Sequence, residues 1–238
     1  MNLWTVYKNK QARALRADNN CYYFYDDLDF RICPKNATSS IKKVIEYSVQ
    51  DRCSNDLMPN LNSKLLVQND RPMLNFARII SVNMHMDYMN IPFRQNSFKV
   101  AIKRDPVERF ISAVSYLQKQ TPDVIYKTTR FLSKTVDYRE HTLEEILTGV
   151  EEGWVNDIHL VPQFYYFGKY DQYDKVYSLG KTRDFIKFLI NYKQNPVLND
   201  NKRYLNIHLN RTTPIEISSS LEKRIKKLYE RDYDEGWY

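Results

Sequence analysis

Glycine is scarce in this chain of 238 residues, and its distribution limits the nucleotide-binding loops that the chain can form. The five glycines all lie in the C-terminal part, at Gly149, Gly153, Gly168, Gly180 and Gly236. The first 148 residues therefore contain neither G-x-G-x-x-G nor G-x-x-x-x-G-K-[ST]. This excludes a standard Rossmann or Walker A phosphate loop from that part of the chain.

The composition is that of one globular domain. Hydrophobic residues make up 42% and charged residues 27%, enough for a core and too balanced for wholesale disorder. No linker, repeat or low-complexity tract divides the chain, so we expect one domain over 1–238, with an N-terminal appendage at 1–27 and a core at about 28–235. There is no apolar leader and no run of about 18 apolar residues, so we expect a cytoplasmic protein without a membrane anchor.

Charge and cysteine usage narrow the ligand classes. The net charge of +7 favours an anionic ligand such as phosphate, sulfate, polysaccharide or nucleic acid, without choosing among them. Cys21, Cys33 and Cys53 are odd in number and lack C-x-x-C spacing, which indicates neither a disulfide framework nor a zinc site. The four histidines are too scattered to suggest a metal centre.

Strand-like and helix-like segments alternate along the chain. Short apolar runs predict strands at 28–33, 78–82, 98–102 and 175–179. Helical periodicity predicts helices at 41–49, 105–117, 142–151, 182–192 and 218–229, whereas 52–77 is polar and irregular, with Pro59 and Pro72 as breakers. The alternation predicts an α/β fold with a central, mostly parallel sheet flanked by helices.

The turn at 34–40 is the first candidate for an anion site. A strand ends, Lys35 follows, and Thr38, Ser39 and Ser40 open a helix. Free backbone N–H groups and the positive end of the helix dipole attract anions, and the lysine adds a full charge. The same residues are also common as helix caps that bind nothing, and the turn alone does not decide between the two.

A second candidate begins at Arg104, at the carboxyl end of a predicted strand, where open α/β sheets bind ligands. Asp105 as N-cap, Pro106 at the first position and Glu108 in a capping box predict a helix start there. Ser112 would lie on the same helix face as Glu108. Arg109 is interpreted as an internal salt-bridge partner of the neighbouring acids.

His85 follows another predicted strand, where a histidine is well placed for general-base chemistry, although a lone histidine is more often structural. The same structural interpretation applies to His141, His159 and His208.

Together these segments resemble the carbohydrate (membrane-type) sulfotransferases, most closely the uronyl 2-O-sulfotransferase branch. The resemblance rests on P-K-x-A-T-S-S at 34–40, a histidine after the next strand, and R-D-P-x-x-R at 104–109 with a serine eight residues after its first arginine. It spans roughly 29–235. The similarity is weaker at three later segments, H-L-V-P-Q at 159–163, N-R-T-T at 210–213 and Y-E-R-D-Y at 229–233. It implies a P-loop-kinase-like fold and the donor 3′-phosphoadenosine-5′-phosphosulfate.

The resemblance also implies roles for individual residues. Lys35, Asn36, Ala37, Thr38, Ser39 and Ser40 would cradle the 5′-phosphosulfate, with Lys35 stabilising the leaving phosphate. Arg104 and Ser112 would bind the 3′-phosphate, and Asn210, Arg211 and Thr212 would close over the nucleotide. His85 would be the catalytic base, and the segment with His159 and Gln163 would lie near the acceptor.

The implied reaction is in-line transfer of a sulfuryl group to an acceptor hydroxyl, on a glycan by the family expectation, with no metal required and no nucleic-acid partner. The chain lacks the N-terminal anchor and luminal disulfides of Golgi members, which fits a bacterial or viral form. Residues 50–78 match nothing in the family, so the acceptor is left open. The alternatives are a nucleotide-dependent kinase of related fold, a non-catalytic polyanion-binding protein, and a relative that binds the nucleotide without transferring.

Overall fold

The computed structural model describes about half of the chain, in ten segments: 21–24, 28–31, 33–37, 67–68, 71–72, 79–81, 96–120, 136–155, 157–191 and 215–238. Several residues singled out above lie outside these segments, namely Thr38, Ser39, Ser40, His85, Asn210, Arg211 and Thr212. The helix expected at 41–49 lies outside them as well.

The described residues form seven strands, of which five make one sheet. They are β1 (Cys21–Phe24), β2 (Leu28–Arg31), β3 (Val67–Gln68), β4 (Arg71–Pro72), β5 (Ile79–Ser81), β6 (Phe98–Lys103) and β7 (Lys175–Ser178). The sheet has the order β5-β1-β2-β6-β7, and β3 and β4 pair with each other. The four strands expected from the apolar runs are thus confirmed as β2, β5, β6 and β7.

Three adjacent strands of the sheet are parallel. β2 pairs with β6 from Leu28 opposite Phe98, and β6 pairs in the same direction with β7. β1 is antiparallel to both β2 and β5, so β5 runs in the same direction as β2. The α/β class with a parallel sheet is confirmed, but β1, in the stretch assigned to an appendage, is a strand that the apolar pattern did not reveal.

Six α-helices accompany the sheet in the described segments: α1 (Pro106–Leu117), α2 (Leu143–Glu152), α3 (Phe164–Phe167), α4 (Thr182–Asn191), α5 (Ser219–Leu228) and α6 (Glu230–Asp234). The start of α1 is close to the prediction, because the Asp105 carboxylate accepts the Glu108 N–H at 2.8 Å and Pro106 takes the first position. The Glu108 carboxylate, however, lies 3.6 Å from Arg104 Nε. A complete capping box instead begins α2, between Thr142 and Glu145.

Helices cover both faces of the sheet. On one face Ala101 of β6 and Val176 of β7 meet an aromatic layer that includes Phe167 of α3 and Trp237. On the other face Phe98 and Tyr177 pack against α4 through Phe188, whose ring centroid lies 5.9 Å from that of Phe98 and 6.0 Å from that of Tyr177.

A second apolar cluster joins three helices. It contains Phe110 of α1, Ile146 of α2 and Ile225 of α5, all fully buried. None of the helices in the described segments is long and apolar enough to cross a membrane.

Trp237 anchors the end of the described chain and should contribute strongly to stability. Its ring is fully buried against Phe167, Tyr170 and Tyr173, and its Nε1 donates to Gly168 O at 2.8 Å. We expect Trp237→Ala to lower the free energy of unfolding by about 3–5 kcal/mol, because it leaves a large cavity and an unpaired carbonyl. Tyr238→Ala, next to it but 53% exposed, should change it by less than about 0.5 kcal/mol. Urea denaturation of both variants measures the difference, and equal losses would contradict this packing.

Candidate functional site

The candidate site lies where β2 and β6 end. These strands are parallel neighbours, so residues 33–37 after β2 and Arg104 after β6 emerge at the same edge of the sheet. Carboxyl edges of parallel sheets are the usual ligand-binding side of α/β proteins. The structure therefore brings together two of the segments on which the sulfotransferase resemblance rests.

Residues 33–37, called here the Lys35 loop, hold a tight left-handed conformation without glycine. The Asn36 N–H donates to Cys33 O at 3.0 Å, and Lys35 and Ala37 have φ values of 70° and 58°. Alternation of left-handed and ordinary residues can turn successive N–H groups toward one side, which forms anion-binding concavities in other proteins. Side chains at such φ values cost about 1 kcal/mol each, so surrounding contacts must hold the loop.

Two arginines hold the backbone of the Lys35 loop. Arg104 Nη1 donates to Lys35 O at 3.0 Å, and Arg109 Nε donates to Pro34 O at 3.1 Å. Arg109 is fully buried and also donates from Nη2 to His159 O at 3.2 Å. Its role is internal, as expected, but it is held by these carbonyls and by the side chains of Cys33 and Tyr229, and not by the Asp105 or Glu108 carboxylate.

Gln163 links the two strand ends. Its Oε1 accepts the Arg104 N–H at 2.9 Å and Asn36 Nδ2 at 2.6 Å, while its Nε2 donates to Arg104 O at 2.7 Å. Asn36 Nδ2 donates also to Ile102 O at 2.8 Å. Both side chains are fully buried, so they position the loop and Arg104. The contact of Gln163 with an acceptor stays a prediction.

Asp232 of α6 extends this network. Its carboxylate accepts the backbone N–H groups of Gln163 and Phe164 at 3.0 Å and 2.8 Å. Complete burial raises the pKa of Asp232 to about 6, against the lowering effect of those hydrogen bonds and of Arg109. Helix α6 therefore holds the backbone at Gln163, and the Gln163 side chain in turn positions Arg104 and the Lys35 loop.

Positive charge is concentrated at the Lys35 loop. Partial burial, together with the charges of Arg104, Arg109 and Lys119, lowers the pKa of Lys35 to about 8. The Lys35 ammonium lies 4.5 Å from the centroid of the Tyr116 ring. An anion bound beside Lys35 would relieve this repulsion, so the local field favours an anionic ligand.

His159 lies on the same side of α1 as Lys35. Its ring centroid is 4.9 Å from that of Tyr116, and its Nδ1 is 2.7 Å from the Asp157 carboxylate. Asp157 is fully buried and also accepts the His159 N–H at 2.8 Å. Ser112, the other described donor-site candidate, is buried on α1.

Two contributors to the site were missed in the sequence, and a third was expected in a different role. Tyr116 and Asp157 had no motif to mark them, and Gln163 was singled out only through the H-L-V-P-Q resemblance. The helical phase of Tyr116, twelve residues after Arg104, places it on a partly buried face, but nothing in the pattern indicates which charge it meets.

Two of the four basic residues in the run at 223–227 are paired with carboxylates. Arg224 binds Glu144 at 2.8 Å and Glu151 at 2.6 Å, and Lys226 binds Glu222 at 2.6 Å. This matches the interpretation of the run as the solvated face of a helix.

Gln163→Leu should destabilise the protein and loosen Arg104, because it leaves the buried Arg104 N–H and C=O without partners. We expect a loss of about 2–4 kcal/mol in the free energy of unfolding, since each orphaned group costs about 1–3 kcal/mol. Gln172→Leu is the matched control. Its amide donates at 2.9 Å to Phe167 O, which also accepts from Tyr173 and Arg31, so its loss should cost less than about 1 kcal/mol. Thermal and urea unfolding compare the two, and a smaller effect at Gln163 would contradict this role.

Within the described segments, no three His, Cys, Asp or Glu side chains come together as a metal-binding group. Comparison of the chain with protein-family models, with curated proteins and with solved structures found no match.

Proposed function

We propose that this protein is a sulfotransferase that moves a sulfuryl group from 3′-phosphoadenosine-5′-phosphosulfate to an acceptor hydroxyl, on a carbohydrate by the family resemblance. The finer form of the fold, a P-loop-kinase-like sulfotransferase domain, is part of this proposal. It is supported by a loop that follows one parallel strand and an arginine that follows its neighbour.

The observation that carries the proposal is the attachment of the Lys35 loop to Arg104. The 3.0 Å bond from Arg104 to Lys35 O holds the guanidinium against the backbone of the loop at the carboxyl edge of the sheet, and the charge of Arg104 acts on the partly buried Lys35 ammonium. Two adjacent cations suit a ligand with two anionic groups, and the donor carries a 5′-phosphosulfate and a 3′-phosphate. Arginine binds phosphate bidentately, which fits Arg104 to the 3′-phosphate.

These residues would act mainly by positioning the two reactants and by stabilising charge, as in phosphoryl transfer. The acceptor oxygen attacks sulfur in line while the bond from sulfur to the 5′-phosphate oxygen breaks. Lys35 and the loop N–H groups would stabilise the charge that develops on that leaving oxygen. The resemblance gives the removal of the hydroxyl proton to His85.

Nucleotide binding tests the proposal directly. We expect calorimetric titration to show binding of 3′-phosphoadenosine-5′-phosphate and much weaker binding of ADP, which lacks the 3′-phosphate. Arg104→Ala should weaken binding of the 3′-phosphorylated nucleotide by about ten- to a hundredfold, because it removes a charge-assisted hydrogen bond.

Arg139→Ala is the control for that titration, since Arg139 is half exposed and pairs locally with Asp137. It should leave the affinity unchanged. Equal affinity for ADP would favour a kinase of related fold, and salt-sensitive binding of polyanions without nucleotide affinity would favour a non-catalytic binding protein.

The lowered pKa of Lys35 predicts how nucleotide binding depends on pH. The free protein holds the Lys35 proton only below a pKa of about 8, whereas a bound anion raises that pKa. Binding therefore takes up a proton above pH 8, and the Kd should rise about tenfold between pH 7 and pH 9. Lys35→Arg keeps its charge over this range and should abolish the dependence. Calorimetry in buffers of different ionisation enthalpy measures the proton uptake, and a flat wild-type profile would contradict the assignment.

A further inference from the structure

His159 is held in one orientation from two sides. Its Nδ1 lies 2.7 Å from Asp157 Oδ1, its backbone N–H donates to the same oxygen at 2.8 Å, and its carbonyl accepts from Arg109 at 3.2 Å. Asp157 is fully buried, whereas the His159 side chain keeps 14% of its exposure. The imidazole is thus nearly enclosed but retains a route to solvent.

The Asp157 contact determines which ring nitrogen is available. A carboxylate accepts a hydrogen bond, so the neutral ring carries its proton on Nδ1 and presents a lone pair on Nε2. No residue in the described segments hydrogen-bonds Nε2. A buried carboxylate that orients a histidine in this way is how serine hydrolases prepare their general base.

His159 and Lys35 are neighbours of the same aromatic ring, that of Tyr116. The Tyr116 ring centroid is 4.5 Å from Lys35 Nζ and 4.9 Å from the His159 ring centroid, so Nζ and the imidazole centre are no farther apart than these two distances together. His159 and Lys35 therefore border the same tyrosine ring, and a ligand bound at Lys35 would lie in the neighbourhood of the imidazole.

We propose that His159, oriented by Asp157, is the general base of the reaction. This rests on the proposed function above. As the acceptor oxygen forms its bond to sulfur, its proton moves to His159 Nε2. The bond from sulfur to the 5′-phosphate oxygen breaks and leaves 3′-phosphoadenosine-5′-phosphate, and the imidazolium returns the proton to solvent. His159 is a catalytic residue in this scheme, and Asp157 is a positioning residue.

Arg109 ties His159 to the Lys35 loop. Its guanidinium donates to His159 O and to Pro34 O, which lies within that loop.

Charged and titratable groups face His159 from each element packed around it. Asp157 belongs to its own segment, Arg109 and Tyr116 belong to α1, and Lys35 lies beyond the Tyr116 ring. A base must present a lone pair to act, and the Asp157 contact leaves that of Nε2 available.

The test follows release of 3′-phosphoadenosine-5′-phosphate from the donor, with heparosan and chondroitin as acceptor probes. We expect His159→Gln to bind the nucleotide product as the wild type does and to lose about 10²–10⁴-fold in kcat. Asp157→Asn should lower kcat with little change in KM, since it disturbs the tautomer and not the binding. His141→Gln, which alters a histidine stacked on Trp154, should change neither readout.

An NMR experiment tests the role of His159 without an acceptor. ¹⁵N NMR of the imidazoles should show His159 as the Nδ1–H tautomer, should show its Nε2 signal move when 3′-phosphoadenosine-5′-phosphate is added, and should show a changed tautomer in Asp157→Asn. If neither polysaccharide is sulfated, these spectra decide. A wild-type Nε2–H tautomer, or an Nε2 signal that does not respond to the nucleotide, overturns the proposal.

The outcomes separate the two proposals. A wild-type protein that binds no 3′-phosphoadenosine-5′-phosphate overturns the proposed function. Nucleotide binding and transfer by the wild type, together with normal turnover in His159→Gln, overturn only the role of His159. Loss of turnover in His85→Asn beside a normal His159→Gln would return that role to His85.

Discussion

The buried amide of Gln163 is the contact on which the geometry of the candidate site depends. It completes both backbone groups of Arg104 and at the same time binds the side chain of Asn36, so the ends of β6 and β2 are joined by one residue. Inside a protein such a network is strong when every member is paired and costly when one is missing. The positions of Arg104 and of the Lys35 loop are therefore set together.

The buried Arg109 guanidinium keeps positive charge close to Lys35. Arg109 is buried and has no direct carboxylate bond within the described segments. Its guanidinium donates to the carbonyls of Pro34 and His159 and lies 6.0 Å from the rings of Tyr166 and Tyr229. Carbonyl oxygens and aromatic faces stabilise a cation without cancelling its charge. The field at Lys35 is consequently stronger than it would be beside a salt bridge.

The regular elements could largely be predicted from the sequence, because local patterns determine them. The stripe from Val107 to Leu117 and the Asp105 cap predicted α1, and the apolar run at 98–102 predicted β6. β1 was not predicted because its sequence, Cys21–Phe24, lacks the alternation of apolar and polar residues that indicates one buried face.

The candidate site was predictable only in part. Lys35 and Arg104 stand beside strand ends and could be placed at one sheet edge. The amide of Gln163 and the pairing of Asp157 with His159 next to Tyr116 depend on tertiary packing, which local sequence does not encode.

The long sequence separations within the site have a consequence for folding. The long-range hydrogen bonds that assemble it join residues 50 to 127 positions apart, whereas the β1–β2 hairpin pairs residues as close as Phe24 and Leu28. Closing long loops costs entropy before any contact compensates, so distant pairings form late and slow the search for the native state. The hairpin can form early, but the Lys35 loop reaches its left-handed conformation only when β6, α3 and α6 have docked. A nascent or cleaved chain without its last helix would thus carry the motif residues and none of their geometry.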